Sequence, residues 1–174
     1  MADPATWFDG DAPRSPDEAR FLVALRERHD VWESAGLDPS GTRVRTVLRP
    51  LHLQVDVPAL PPRHVNLQVG FWTSGPRGTG VEGGWGGSHL LDGGPAGALE
   101  LFGLPATPGE LADLTARWLA TALAAPVERA DWLDPAGDVV ASRWTLPGSG
   151  VIGARGRRPA RWRRHPPDRV ERVR

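Results

Sequence analysis

The chain has 174 residues, a formal net charge of zero and no cysteine. This length fits one compact domain, and a hydrophobic content of 40% supplies enough apolar side chains for a buried core. The lack of cysteine excludes disulfides, thiolate metal sites and cysteine nucleophiles. Neither a signal peptide nor a run of about eighteen apolar residues is visible, so the sequence predicts a cytoplasmic protein.

Charge is distributed unevenly along the chain. Residues 154–174 hold nine arginines and two acids, a net charge of +7, so the remaining residues carry a net charge of −7. We therefore predict a flexible segment at 1–14, a single domain at 15–153 and a basic, disordered tail at 154–174. All 21 basic residues are arginine, which indicates GC-rich codon usage and weakens any functional reading of arginine content.

Two capped helices are predicted. Ser15-Pro16-Asp17-Glu18 has the capping-box pattern, and the apolar residues that follow predict a helix that Gly36 ends. Thr107-Pro108-Gly109-Glu110 repeats the pattern and starts a second helix, which Pro126 stops. Its apolar stripe follows helical spacing.

Several short β-rich runs accompany the helices. LHLQVDV and HVNLQVGFW alternate, with apolar residues at odd positions and polar residues at even positions. The tightest hairpin that keeps each face together sets Gln54 opposite Asn66 and His52 opposite Gln68. VERADWL and VVASRWTL predict a second hairpin. The order of elements predicts an α+β fold with an antiparallel sheet of about five to six strands packed with two capped helices.

Residues 75–94 contain nine glycines and match a dinucleotide-binding pattern at Gly78, Gly80 and Gly83. That motif requires a helix N-terminus after the glycines, and the continuing GWGGSHLLDGG cannot form one. We therefore predict an exposed, mobile connection between two strands, with Trp85 available to a partner.

Catalytic and metal sites are weakly signalled. Ser88 and His89 lack the spacing of a nucleophile elbow, because Leu90 stands where the final glycine belongs. His52, Asp56 and His64 share one predicted sheet face but lack a third firm ligand beside the two imidazoles. We predict no catalytic residues, metal or cofactor, and instead a face that is either solvated or binds a partner.

One region resembles a known group of proteins. The string GLPATPGELADLTARWLATALAAPVERADW resembles uncharacterised small α+β proteins of high-GC Gram-positive bacteria, some of which are similar to immunity proteins carried beside polymorphic toxins. The resemblance implies a toxin-blocking role, and a body with net charge −7 suits a basic partner. It supplies no functional residues, since its motif residues build a helix and a strand.

The leading hypothesis is a non-enzymatic binding protein that neutralises a toxin. Its partner-binding candidates are Trp72, Trp85, His52, Asp56, His64, Glu82 and Asp92. The alternative is a nucleic-acid-associated protein that acts through its tail. The tail candidates are Arg157, Arg158, Arg161, Trp162, Arg163 and Arg164.

Overall fold

The computed structural model describes residues 3–46, 49–75, 77–86, 97–156 and 165–174. The α-helices in these ranges are α1 (Pro16–Arg26), α2 (His29–Ser34) and α3 (Pro108–Ala124). The strands are β1 (Asp9–Gly10), β2 (Thr42–Arg45), β3 (Leu51–Val55), β4 (Asn66–Trp72), β5 (Gly80–Gly86), β6 (Leu99–Phe102), β7 (Glu128–Leu133), β8 (Val139–Leu146), β9 (Gly150–Gly156) and β10 (Arg169–Arg172).

Both long helices begin where the sequence predicts. The Ser15 hydroxyl accepts a hydrogen bond from the Glu18 amide (3.1 Å) at α1. Thr107 and Glu110 form the predicted reciprocal capping box at α3. The first predicted helix is instead two helices, because a turn at Glu27 and Arg28 separates α1 from α2. Gly36 follows α2 with a φ of 74°, which glycine adopts at low cost, and ends it as expected.

The described strands form two sheets. The first has the order β1-β2-β3-β4-β5-β6 and is antiparallel except between β1 and β2, which are parallel. The second is antiparallel with the order β10-β7-β8-β9. The predicted α+β class is confirmed. The expected single sheet is instead two, because the β7–β8 hairpin pairs with β9 and β10.

The central hairpin has the predicted face pattern but not the predicted register. Gln54 pairs with Gln68, and His52 pairs with Gly70, two residues beyond the predicted partners. A shift of two keeps every side chain on the same face, because the side chains of a strand alternate with a period of two. The predicted apolar face is therefore correct, although the loop between β3 and β4 is longer than the tightest hairpin would require.

The apolar face of the first sheet packs against α1 and α3. Phe21 of α1 stacks on Phe71 of β4 with ring centroids 4.3 Å apart. The odd-numbered apolar residues of the hairpin are all buried, as predicted: Leu51, Leu53, Val55, Val57, Val65, Leu67, Val69 and Phe71. The core thus lies between the sheet and the two long helices.

The N-terminal segment is packed onto the domain, contrary to the expected flexibility of residues 1–14. Trp7 and Phe8 are completely buried. Arg26 of α1 donates hydrogen bonds to the backbone oxygens of both residues (2.8 and 2.9 Å), and β1 pairs with β2. Burial of two large aromatic side chains offsets part of the entropy lost when this segment is ordered.

The glycine-rich stretch is also different from its prediction, because residues 80–86 form β5 inside the sheet. Trp85, expected to be exposed, is 4% exposed and belongs to the core. A Cβ atom on Gly83 would lie 3.2 Å from the ring of Trp118 on α3. Glycine at position 83 therefore makes room for a neighbouring side chain and marks close packing between β5 and α3. Residues 87–94 lie outside the described residues.

The end of the predicted tail is part of the second sheet. β10 pairs with β7, and Arg169 of β10 donates a hydrogen bond of 2.7 Å to the buried carboxylate of Asp131. The expectation of a disordered tail therefore fails for residues 165–174. Sequence patterns could not predict this pairing, since a short strand rich in arginine has no apolar alternation to reveal it. Residues 157–164 lie outside the described residues.

Candidate functional site

The polar face of the six-stranded sheet carries three of the seven predicted partner-binding residues, His52, Trp72 and Glu82. Strand pairing places His52 opposite Gly70, and Gly70 opposite Glu82. Trp72 lies one step further along the same face of β4, opposite Gly80. The face divides into a buried polar region around His52 and a partly exposed region around Trp72.

The region around His52 is buried, which corrects the expectation of a solvated face. His52 is 2% exposed, so its imidazole is shielded from solvent. Burial lowers the pKa of His52, and the positive charge of Arg45 lowers it further. A hydrogen bond with the Gln68 side chain raises the pKa but does not cancel this shift. The imidazole is therefore neutral at pH 7, and His52 is not available to a macromolecular partner.

The other residues of the proposed His52 metal set lie apart from it. Asp56 accepts a hydrogen bond from Gln54 (2.8 Å) and lies 3.8 Å from a guanidinium nitrogen of Arg43. His64 stacks against Trp144 of the second sheet, with ring centroids 6.3 Å apart. Across the described ranges, no three His, Asp or Glu side chains are grouped so that they could hold a metal ion. His52, Asp56 and His64 thus form no common site.

The partly exposed region is a group of five residues, which we call the Trp72 cluster: Trp72, Arg77, Glu82, Glu100 and Phe102. The Trp72 indole nitrogen donates to one oxygen of Glu82 (3.0 Å), and Arg77 donates to the other (2.6 Å). Arg77 also donates to Glu100 (2.7 Å) and lies over the Phe102 ring, 3.8 Å from its centroid. Each member of the cluster therefore restrains at least one other.

Strand register explains why these side chains meet. Trp72, Gly80 and Phe102 form one row across β4, β5 and β6, and Glu82 and Glu100 lie in the next row. A Cβ atom on Gly80 would lie 2.5 Å from Cδ1 of Phe102, so only glycine leaves room for that ring. Gly80 therefore belongs to a packing arrangement that brings an aromatic ring beneath Arg77.

Exposure within the Trp72 cluster is graded. The side chains of Arg77 and Glu100 are 48% and 68% exposed, whereas that of Glu82 is 23% exposed. Trp72 and Phe102 are half-buried. The cluster has two acids and one arginine, a net charge of −1, and it presents a fixed surface of aromatic and charged groups. Such a surface can recognise a partner.

Sequence reasoning identified two members of this cluster, Trp72 and Glu82, and missed Arg77, Glu100 and Phe102. The alternation of Glu100 and Phe102 in the short run GALELFG did indicate that they share a face. Arg77 could not be found in this way, because it lies before β5 and reaches the face only through the fold. Asp92, with the rejected pair Ser88 and His89, lies outside the described residues.

The remaining predicted site residues do not join the cluster. Trp85 is buried on the opposite face of the sheet, where it contributes to the core. The tail candidates, Arg157, Arg158, Arg161, Trp162, Arg163 and Arg164, lie outside the described residues. Comparison with known proteins finds no matching family, no similar curated protein and no similar solved structure. Within the described residues, no helix is both long enough and apolar enough to cross a membrane.

Proposed function

We propose that this protein binds a partner protein through the Trp72 cluster and acts in the cytoplasm as an immunity-like inhibitor of a basic toxin. The observation that carries the proposal is the preorganisation of the cluster. Arg77 is held by Glu82, Glu100 and the Phe102 ring while its side chain stays 48% exposed.

Preorganisation matters because binding otherwise costs about 0.5–1.5 kcal/mol for each long side chain that becomes ordered at an interface. Tryptophan and arginine are also the residues most enriched among those that dominate binding energy. Trp72 and Arg77 supply both types within one restrained group. The Trp72 cluster therefore has the composition and rigidity of an interface centre.

Charge supports a basic partner. The cluster has a net charge of −1, and residues 1–153 have a net charge of −7. Charge complementarity raises association rates and disfavours partners of the same sign. The toxin-blocking role itself rests on the resemblance of residues 103–132 to uncharacterised small α+β proteins, some of which are similar to immunity proteins.

The experiment is co-expression of this protein with the product of the adjacent reading frame, followed by size-exclusion chromatography and titration calorimetry. We expect a stable complex, rescue from that product's toxicity, and at least a tenfold weaker affinity for Trp72→Ala and Arg77→Ala, which is a loss of about 1.4 kcal/mol. Arg20→Ala is the matched control, since Arg20 is another exposed arginine paired with an acid, Asp17. The absence of both complex and rescue would refute the proposal.

A further inference from the structure

A second candidate site lies on the four-stranded sheet, away from the Trp72 cluster. It is a cleft of about 350 Å³ between one face of that sheet and the loop that follows β3. The sheet contributes Arg129, Ser142, Trp144 and Arg155 to its lining, Val173 follows β10 at the end of the same sheet, and Ala59, Leu60 and Pro61 line the cleft from the loop. Its volume falls within the range of small-molecule sites.

Two arginines approach this cleft from opposite sides of the strand β8. Arg129 on β7 pairs with Trp144, and Arg155 on β9 pairs with Ser142. Because neighbouring strands are about 4.8 Å apart, their backbones are separated by about 10 Å, a gap that two arginine side chains can span. The two guanidinium groups can therefore converge above Ser142 and Trp144.

Arg155 supplies a positive charge that is available to a ligand. It is exposed and forms no ion pair with any described residue. Arg129 is held through Nε by Asp131 (2.8 Å), with only a long 3.9 Å approach of Nη1 to Glu171. The Nη1 and Nη2 nitrogens of Arg129 can therefore still donate hydrogen bonds to a ligand in the cleft.

The acids on this face do not cancel the arginines. Asp131 is buried, and its two oxygens already accept hydrogen bonds from Ser142, Arg129 and Arg169. The face holds Arg129, Arg155 and Arg169 against Asp131 and Glu171, so its net charge is +1. A small anion can bind there without displacing the Asp131 contacts.

We infer that this cleft binds the phosphate group of a phosphate ester. A phosphate monoester carries a charge near −2 and presents oxygens in several directions, which suits two guanidinium groups on opposite sides. A planar carboxylate presents both oxygens to one side and fits this arrangement less well. The apolar lining residues Leu60, Pro61 and Val173 can contact the organic part of the ester.

The test is titration calorimetry of the full chain at low salt with adenosine 5′-monophosphate, with inorganic phosphate and with adenosine. A ten-residue oligothymidylate, followed by fluorescence anisotropy, distinguishes a nucleic-acid phosphate from a free one. We expect binding of a phosphate-bearing probe, none of adenosine, and at least a tenfold loss of affinity in Arg155→Gln. Arg117→Gln, which removes the same charge from an exposed position on α3, is the control and should stay within twofold of the parent protein.

Each outcome of these titrations either supports or overturns the phosphate-binding inference. Loss in Arg155→Gln with binding kept in Arg117→Gln supports it, and the probe that binds identifies the source of the phosphate. Equal affinity in Arg155→Gln and the parent protein would overturn it, as would equal losses in both variants or no binding of any phosphate-bearing probe. Circular dichroism of both variants confirms that they are folded.

Discussion

Glu82 and Glu100 lie directly opposite each other on β5 and β6, and Arg77 donates a hydrogen bond to each of them. Two like charges at facing positions of neighbouring strands destabilise a sheet unless a counter-charge separates them. Arg77 provides that counter-charge from outside the strand pair. The exposed arginine of the Trp72 cluster is therefore also what permits two acids to face each other.

Replacing Arg77 with alanine should lower the urea concentration at the midpoint of unfolding. The reason is that Glu82 and Glu100 would then repel each other without compensation. Adding Glu100→Gln to Arg77→Ala should restore most of the loss, because only one charge of the facing pair then remains. Unchanged midpoints in both variants would show that Arg77 does not offset this repulsion.

Trp85→Ala should destabilise the protein by about 3–5 kcal/mol, the usual cost of truncating a large buried aromatic residue. Trp85 is 4% exposed within the core, so its removal leaves a cavity. Leu104→Ala is the control, because Leu104 is 48% exposed and should change the free energy of unfolding by less than about 0.5 kcal/mol. Urea unfolding measures both, and similar values would place Trp85 outside the core.

Gly83→Ala should destabilise the protein by about 1–3 kcal/mol, as overpacking in a core does. The added Cβ would lie 3.0 Å from the backbone oxygen of Gln68 and 3.2 Å from the Trp118 ring. Gly109→Ala in the first turn of α3 is the contrasting variant, because the nearest atom to its added Cβ is 4.0 Å away. Alanine there should be neutral or stabilise by roughly 0.5–1 kcal/mol. Equal thermal stabilities of the two variants would contradict the packing role of Gly83.

The sequence predicted the helix caps and the alternating faces of β3 and β4, since both depend on residues close together in the chain. It could not predict that His52 is buried, because alternation shows which residues share a face and not what covers that face. The burial of Trp85 was hidden for a related reason. The glycines around it predicted flexibility, whereas Gly83 is required by the volume of Trp118, a residue 35 positions later in the chain.

Stability should fall in acid partly through Asp131. Burial by itself would raise the pKa of Asp131, but hydrogen bonds from Arg169, Ser142 and Arg129 together lower it below its usual value. The stabilisation is therefore complete above the unfolded-state pKa, about 3.9, and is lost as the pH falls through the lower folded-state pKa. We expect the loss below about pH 4.

The variant Asp131→Asn tests this account. It should lower the free energy of unfolding by about 2 kcal/mol at pH 7, the scale of hydrogen bonds to a charged group. The difference from the parent protein should shrink at pH 3, because this pH is below the unfolded-state pKa of about 3.9 and the unfolded parent chain then binds a proton at Asp131. Asp138→Asn, at an exposed position, should differ little from the parent at either pH. A difference for Asp131→Asn that stays constant between pH 7 and pH 3 would contradict the lowered pKa.

Deleting residues 165–174 should lower the melting temperature and cannot serve as a clean test of the arginine-rich tail. The deletion removes β10, exposes the edge of β7 and takes away the hydrogen bond from Arg169 to the buried Asp131. A loss of partner or nucleic-acid binding in that variant would therefore reflect unfolding as readily as a missing contact. Replacement of Arg157, Arg158, Arg161, Arg163 and Arg164 with glutamine keeps the β10 sequence intact.

If the Trp72 cluster is the interface, this five-site glutamine variant should bind the partner within about twofold of the parent protein. If the tail acts on nucleic acid, the parent protein should bind an oligonucleotide with an affinity that falls steeply with salt, and the glutamine variant should not. Calorimetry with the partner and anisotropy with the oligonucleotide separate the two cases. A glutamine variant that loses the partner while its melting temperature is unchanged would move the interface from the Trp72 cluster to the tail.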